Sequence, residues 1–223
     1  MKKGIRLVLN SFEEIKKIPD KSIDLILTDP PYNIAKYSTN IKFDWREDIN
    51  NDLAEWDLID LDPNLLVDEY LRILKPDNMF IFTSYNMIKF HEAFDKHFDT
   101  FQFMVWHKKN PVPNFFKKFS NSCELIVCCW NKHKWNFKTQ VEMHNFIESI
   151  CMKERIKDSN KTLHPTQKPV EILKHIIEIS TNEDLVLDTF MVSTGEACKI
   201  LNRRFIIEMN KTYFEASEKR LLK

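Results

Sequence analysis

Ile23-Asp24-Leu25-Ile26-Leu27-Thr28-Asp29-Pro30-Pro31-Tyr32 decides how this chain is read. The apolar run from Ile23 to Thr28 predicts a buried strand. Proline cannot donate to a central ladder, so Pro30 and Pro31 end the strand and fix a stiff, extended turn. Asp29 then stands at a strand's carboxyl end, the edge at which open α/β sheets bind ligands. Tyr32 offers a flat face beside two acceptors, the Asp29 carboxylate and the Pro30 carbonyl. A planar base with an exocyclic amine suits that pocket: the amine donates to Asp29 and Pro30 while the ring stacks on Tyr32. The same residues also read as a plain proline turn. A second segment, 135 residues further on, separates the two readings.

That segment is His164-Pro165-Thr166-Gln167-Lys168-Pro169, which opens a predicted helix over 170–179. Val170, Leu173, Ile176 and Ile177 fall at helical spacing, and Pro169 suits the first turn. Leu185-Val186-Leu187-Asp188-Thr189-Phe190 predicts a short apolar strand ending in an acid. A helix over 196–201 leads to the strand Phe205-Ile206-Ile207-Glu208, which also ends in an acid. Strand, helix and strand make a βαβ unit, in which an acid at the end of the second strand suits ribose hydroxyls.

Taken together, the two segments resemble the DNA amino-methyltransferases, which methylate adenine N6 or cytosine N4. Asp29-Pro30-Pro31-Tyr32 looks like their catalytic motif. The His164–Pro169 run, with the βαβ unit after it, looks like their S-adenosylmethionine half. With the catalytic motif first and the cofactor motif last, the order is that of the β class. The resemblance runs from about residue 23 to the C-terminus and is weak in the middle third. It implies a Rossmann-like α/β fold with S-adenosylmethionine as cofactor, S-adenosylhomocysteine as product and no metal. By the same resemblance Asp188, Phe190, Ser193 and Thr194 line the cofactor pocket and Glu208 takes the ribose hydroxyls. His164 packs by the methionine end, and Thr166 and Lys168 reach toward the cofactor's carboxylate. Methyl transfer would be direct, with Asp29 and the Pro30 carbonyl localising the amine lone pair.

Bulk properties agree without discriminating. The length of 223 residues suits one domain over 1–223. A net charge of zero gives no global signature for nucleic acid. A local basic patch is nevertheless legible in Lys108, Lys109, Asn110, Lys117, Lys118, Lys132 and Lys134, interleaved with aromatic residues. Basic side chains among aromatics suit phosphate contact and base stacking. A solvated loop with a few buried rings reads equally from the same residues. Five scattered cysteines include no Cys-x-x-Cys pair, so a zinc site is not expected. Cys128 and Cys129 should point to opposite faces of one strand as packing residues. Short apolar runs and the absence of a signal sequence imply a cytoplasmic protein. The resemblance adds a prokaryotic or phage setting, a restriction–modification context, DNA as partner and room for a homodimer.

Along the chain, strands and helices alternate. An edge strand is expected over 7–9, and Ser11 with Glu14 suits a capping box. Residues 33–62 are polar and poorly periodic, which suits a mobile functional loop with Trp45 and Trp56 as contacts or anchors. Helices are expected over 65–74, stopped by Pro76, and over 87–98; Pro76-Asp77-Asn78 reads as a turn. Strands are expected over 79–83, 101–106 and 125–130, the last two as an antiparallel pair. The sum is a mixed, mostly parallel sheet of about seven strands with helices on both faces. Residues 131–162 carry little periodic signal. In the β class this position holds the target-recognition region, and an irregular surface insertion is the plain alternative.

The chain departs from the family in its glycines. Where the pattern has aspartate–proline–phenylalanine–x–glycine–x–glycine, this sequence has Asp188-Thr189-Phe190-Met191-Val192-Ser193-Thr194-Gly195. Val192 is a poor occupant of any position needing positive φ. Phe205-Ile206-Ile207-Glu208 also lacks a glycine between the isoleucines. Gly4 and Gly195 are the only two in the chain. Either the cofactor pocket is impaired, or glycines are missing from the sequence and a widened Cα separation marks the spot. Adenine-N6 methylation is the favoured reading, tilted by the aspartate that opens the catalytic motif. Cytosine-N4 methylation and a degenerate, non-catalytic nucleic-acid-binding relative stay open.

Overall fold

The computed structural model describes residues 5–9, 15–30, 62–84, 87–111, 119–151, 168–182, 185–189 and 192–209, with backbone alone at 5–9, 76, 77, 192 and 206–209. Pro31, Tyr32, His164, Thr166, Phe190, Lys117, Lys118, the side chain of Glu208, the Ser11–Glu14 box and the 33–61 segment lie outside the described residues.

Eight strands form one sheet among the described residues, one more than the sequence pattern suggests. They are β1 (Ile5–Leu9), β2 (Ile23–Thr28), β3 (Leu74–Thr83), β4 (Thr100–Lys108), β5 (Cys123–Trp130), β6 (Phe146–Ser149), β7 (Leu185–Asp188) and β8 (Arg204–Met209). Their order is β1-β8-β7-β2-β3-β5-β4-β6. Only β5 runs against its neighbours, antiparallel to both β3 and β4. The expected antiparallel pair is thus β4 with β5. The edge strand predicted over 7–9 is β1, paired in parallel with β8. The additional strand, β6, falls inside the 131–162 segment that lacked periodic signal. It pairs in parallel with β4 and ends the sheet. Four residues with only two half-buried side chains leave too short a pattern to register in sequence.

Helices cover both faces. On one face, α1 (Pro63–Ile73) and α2 (Ile88–His97) pack through Leu66, Val67, Tyr70, Ile73, Phe90, Ala93 and Phe94 onto Ile26, Met79, Ile81, Val127 and Leu187. On the other, α3 (Val170–Ser180) and α4 (Val192–Ile200) pack through Ile172, Leu173, Ile176, Ile177, Ala197 and Cys198 onto Leu25, Leu27, Phe80, Phe82 and Val186. Along β3 and β5 side chains alternate between the two cores. Cys129 enters the first core and Cys128 the second, as expected. Strand β2 is central, and Ile23, Leu25, Ile26 and Leu27 are all fully buried. Each such side chain contributes roughly 1.5–3 kcal/mol of burial.

Two local readings change. Pro76-Asp77-Asn78 is not a turn but part of β3, which follows α1 directly. The β2–β3 register shifts between Ile23 and Leu25, so Pro76 falls where the ladder is already irregular and its missing N–H costs little. At that irregularity the Asp24 carboxylate takes Lys75 Nζ at 2.6 Å and the Leu185 N–H at 2.9 Å, binding β2 to β3 and β7. Helix α4 begins at Val192, before the expected Glu196. Val192 thus enters a right-handed helix. The helix closes at Asn202, whose φ of 55° fills the left-handed cap usually given to glycine. Its N–H donates to Lys199 O, and the next N–H, from Arg203, donates to Cys198 O. Strand β8 runs unbroken through Ile206 and Ile207, which pair in successive register with Leu187 and Asp188. Met191, at the other junction, lies outside the described residues.

Candidate active site

The carboxyl ends of β2 and β7 lie side by side, because Leu25 pairs with Val186 and Ile26 with Leu187. Continued by two residues, this register sets Thr28, the last residue of β2, beside Thr189, the residue that follows β7. Thr28 Oγ1 donates to Asp188 Oδ1 at 3.1 Å and lies 2.9 Å from Thr189 Oγ1. A hydroxyl has one proton, so Thr189 donates to Thr28 and Tyr70 OH, 2.6 Å away, donates to Thr189. The Thr189 N–H adds a third contact to Thr28 Oγ1 at 3.3 Å. Thr28, Asp188, Thr189 and Tyr70 are all buried. The network clamps the residue preceding Asp29 to the start of the predicted cofactor loop. Thr189 stands where the family pattern has proline, and proline has no hydroxyl to join this chain.

Asp29 follows at the sheet's carboxyl edge. Its Oδ2 accepts from Lys168 Nζ at 2.5 Å. The two predicted motifs therefore meet through an ion pair that joins positions 139 apart in the chain. Lys168 is no exposed helix-start lysine, since its side chain is only 4 % accessible. Nor does its ammonium stand alone facing a cofactor. It also lies 3.3 Å from Glu124 Oε2 and 5.1 Å from the centroid of Phe82. Glu124 Oε1 in turn takes Lys108 Nζ at 2.5 Å. Asp29, Lys168, Glu124 and Lys108 thus alternate in charge across β2, the α3 approach, β5 and β4. Burial works against the Lys168 charge, but Asp29 and Glu124 together hold its pKa above the ordinary lysine value. Burial likewise opposes ionisation of Glu124, yet Lys168 and Lys108 hold it below the usual carboxylate range.

Beyond Asp188, the first turn of α4 brings Ser193 and Thr194, both buried. The Thr194 hydroxyl oxygen has no hydrogen-bond partner among the described residues. A buried, unsatisfied hydroxyl beside a strand end costs stability unless a ligand completes it. Among the described residues, no group of three or more His, Cys, Asp or Glu could hold a metal ion.

The described members of the predicted basic patch do not share one surface. Lys108 is committed to Glu124 and stacks 5.1 Å over Trp106, and Lys109 pairs with Glu148 at 2.8 Å. Asn110 exchanges two bonds with the Cys151 backbone, at 3.2 and 2.7 Å. These residues stitch β4 to β6 and its exit. Lys132 and Lys134 are exposed, but they follow the carboxyl end of β5, the one reversed strand. That end lies beside Asn78 at the start of β3, roughly 20 Å of strand away from Glu124. The reversal of β5 sends Lys132 and Lys134 to the edge of the sheet opposite Asp29.

Sequence reasoning missed Glu124, Thr28, Thr189 and Tyr70. Glu124 had a signal: it is an acid opening the apolar strand Leu125-Ile126-Val127-Cys128-Cys129-Trp130, where burial demands a cationic partner. Thr28, Thr189 and Tyr70 had none, because a hydroxyl at a strand end or on a helix is ordinary until its partner is known.

Comparison with known proteins accords with this geometry. A profile of the N6/N4 DNA methylase family matches residues 23–219. The type II methyltransferase M.HinfI of Haemophilus influenzae is 34% identical, across 99% of this chain and 70% of its own length. M2.LlaDCHI of Lactococcus lactis subsp. cremoris, also a type II methyltransferase, is 30% identical across 96% of this chain and 87% of its own. Among solved structures, the M1.HpyAVI complex with SAM superposes with a TM-score of 0.67 at 30% identity, covering 97% of this chain and all of that one. The cytosine-N4-specific PvuII DNA methyltransferase shares the fold, with a TM-score of 0.65 at 17% identity over 99% of this chain and 87% of that one. With the two predicted motifs joined at the carboxyl edge of a mostly parallel sheet, and with relatives matched along nearly its full length, the chain belongs to the N6/N4 family of DNA methyltransferases.

Proposed function

We propose that the chain is a site-specific DNA adenine-N6 methyltransferase that uses S-adenosylmethionine. The observation that carries this reading is the Asp29–Lys168 ion pair at the edge where Thr28 meets Asp188. The cofactor, when bound, supplies a methyl group already activated by its sulfonium. Asp188, Ser193 and Thr194 are placed to hold it, and the unsatisfied Thr194 hydroxyl supports a ligand completing that corner. Glu208, the penultimate residue of β8, two strands from β2, is assigned to the ribose hydroxyls.

Asp29 accepts from the target amine, favouring a pyramidal nitrogen with a localised lone pair, and Pro30 adds its carbonyl. As the nitrogen gains the methyl group it loses a proton, and the neighbouring carboxylate is the nearest base. Lys168 fixes one carboxylate oxygen and so the plane of the acid, which is positional catalysis. Pro31 and Tyr32 complete the motif, with Tyr32 as the stacking face for a base turned out of the helix. Target recognition is assigned to 131–162. In support, β6 runs parallel to β4, so the chain leaves it at Ser149 on the same edge as Asp29. The aspartate that opens the motif favours adenine over cytosine.

Nucleoside analysis tests this reading. The protein is incubated with S-adenosylmethionine and unmethylated DNA, and the digested nucleosides are measured by mass spectrometry, with Asp29→Ala as control. N6-methyladenine that vanishes in the control is expected. N4-methylcytosine in its place overturns the base assignment, and no methylated base on any DNA overturns the activity.

A further inference from the structure

Lys168 does not sit on Asp29 unaided. Its ammonium lies between two carboxylates, 2.5 Å from Asp29 Oδ2 and 3.3 Å from Glu124 Oε2. Glu124 is held on its far side by Lys108 at 2.5 Å. Glu124 belongs to β5 and Lys108 to β4, and neither lies in the two motifs that mark the reaction. Side-chain accessibility is lowest at Lys168, 4 %, and higher on either side of it, 11 % at Asp29, 20 % at Glu124 and 17 % at Lys108. Lys168 is therefore the dry centre of the row, and both ends reach water.

A lone Asp–Lys pair at this edge would be a poor arrangement for methyl transfer. An ammonium with one carboxylate partner draws that carboxylate fully to itself and weakens it as an acceptor for the substrate amine. It is also free to rotate about the long lysine stem. A second carboxylate on the same ammonium divides its charge and fixes its position from a second direction. Glu124 does both, from a strand rather than a loop. Lys108 then compensates Glu124, so that no net charge accumulates in the partly buried row.

Resting on the methyltransferase reading above, we propose that Glu124 and Lys108 are positioning residues for the reaction: they hold the Lys168 ammonium so that Asp29 keeps the orientation and acceptor strength that the target amine requires. Glu124 touches neither substrate nor cofactor in this scheme and acts through Lys168. The arrangement also gives the sheet's one reversed strand a role. Because β5 runs antiparallel, its first residues lie at the carboxyl edge of β3 and β2, which places Glu124 opposite Asp29.

The test compares Glu124→Gln, Glu124→Asp and Lys108→Met with the unaltered protein. It measures kcat, KM for DNA, the dissociation constant of S-adenosylmethionine by calorimetry, and thermal stability. Glu124→Gln is expected to lower kcat by about tenfold or more with KM and cofactor affinity within about threefold, the pattern of a group that serves the transition state. Glu124→Asp restores part of kcat, and Lys108→Met gives a smaller loss of the same kind. If Glu124→Gln does not fold, Lys108→Met carries the test from the accessible end. Unchanged kcat in both Glu124→Gln and Lys108→Met overturns the proposal. So does a joint fall of kcat, cofactor affinity and stability that Glu124→Asp does not relieve. A raised KM for DNA with unchanged kcat in Lys108→Met identifies that lysine as a DNA contact and likewise overturns it. If the unaltered protein methylates no DNA, the methyltransferase reading itself falls and this inference falls with it.

Discussion

Thr28 Oγ1 donates to Asp188 Oδ1 across 3.1 Å, joining positions 160 apart in the chain. One strand leads into the predicted catalytic motif and the other into the predicted cofactor loop, so this bond and the Thr189 contacts to the same hydroxyl tie the two segments together. Replacing Thr28 by valine keeps the shape but removes both the donor to Asp188 and the acceptor used by Thr189. Buried groups deprived of partners in this way cost about 1–3 kcal/mol. Tyr70→Phe removes only the outermost donor and should cost about 0.5–1.5 kcal/mol. Denaturant unfolding of both variants checks the order: Thr28→Val must be the more destabilising.

The row of charges makes stability depend on pH in a defined direction. Glu124 has a depressed pKa in the folded protein, so its contribution is present above the unfolded value and is lost as pH falls through the folded one. Lys168 has a raised pKa, so its contribution is present below the unfolded value and is lost as pH rises through the folded one. The row therefore stabilises between the ordinary carboxylate range, about pH 4.3, and the ordinary lysine range, about pH 10.4. Melting temperatures recorded from about pH 3 to about pH 11, a span that brackets both ranges, should fall at both ends, and Glu124→Gln should flatten the acidic limb. An unchanged acidic limb in that variant would show that other carboxylates carry it.

Thiol chemistry offers an independent check on the two cores. Cys128, Cys129 and Cys198 are buried, and burial pushes each thiol well above its ordinary pKa. Cys123 is exposed and Cys151 is intermediate. A thiol reagent at neutral pH should label Cys123 first and Cys151 next, with the other three labelled only on unfolding. Rapid labelling of Cys128 or Cys129 in the native protein would contradict the packing of β5.

The cofactor loop invites an insertion rather than a substitution. Val192 starts α4 where the family pattern would place backbone freedom close to the cofactor. Inserting glycine between Met191 and Val192 should tighten S-adenosylmethionine binding about tenfold by supplying the backbone freedom that the family pattern has at that approach. Calorimetry measures it directly. Equal or weaker affinity in the insertion variant would mean that Thr189 and the early start of α4 already form a complete pocket.

Much of the fold was legible in sequence because its signals are local. The helical spacing of Val170, Leu173, Ile176 and Ile177 places α3, and the apolar run from Ile23 to Leu27, interrupted only by Asp24, marks a strand buried on both faces. Strand β6 escaped because four residues at a sheet edge carry almost no pattern. Pro76 misled for the opposite reason: it is a strong local signal for a turn, overridden by a register shift between β2 and β3. At the site, Asp29, Lys168 and Asp188 were singled out by their motifs. Their partners were not, since Glu124, Thr28, Thr189 and Tyr70 matter only through contacts with residues far away in the chain.

By itself the sequence determined the chemistry available: a carboxylate pinned between a strand and two prolines, a lysine ahead of a helix, and acids ending two later strands. Residue type and spacing suffice for that, because proline geometry and the kinds of ionisable group are properties of the chain. Only the tertiary structure decided what each charge does. It sent Lys168 to Asp29, brought Glu124 to Lys168 by reversing β5, and carried Lys132 and Lys134 to the far edge of the sheet. Charges act over a few ångströms, and strand order and direction, which no local pattern encodes, set which charges come that close.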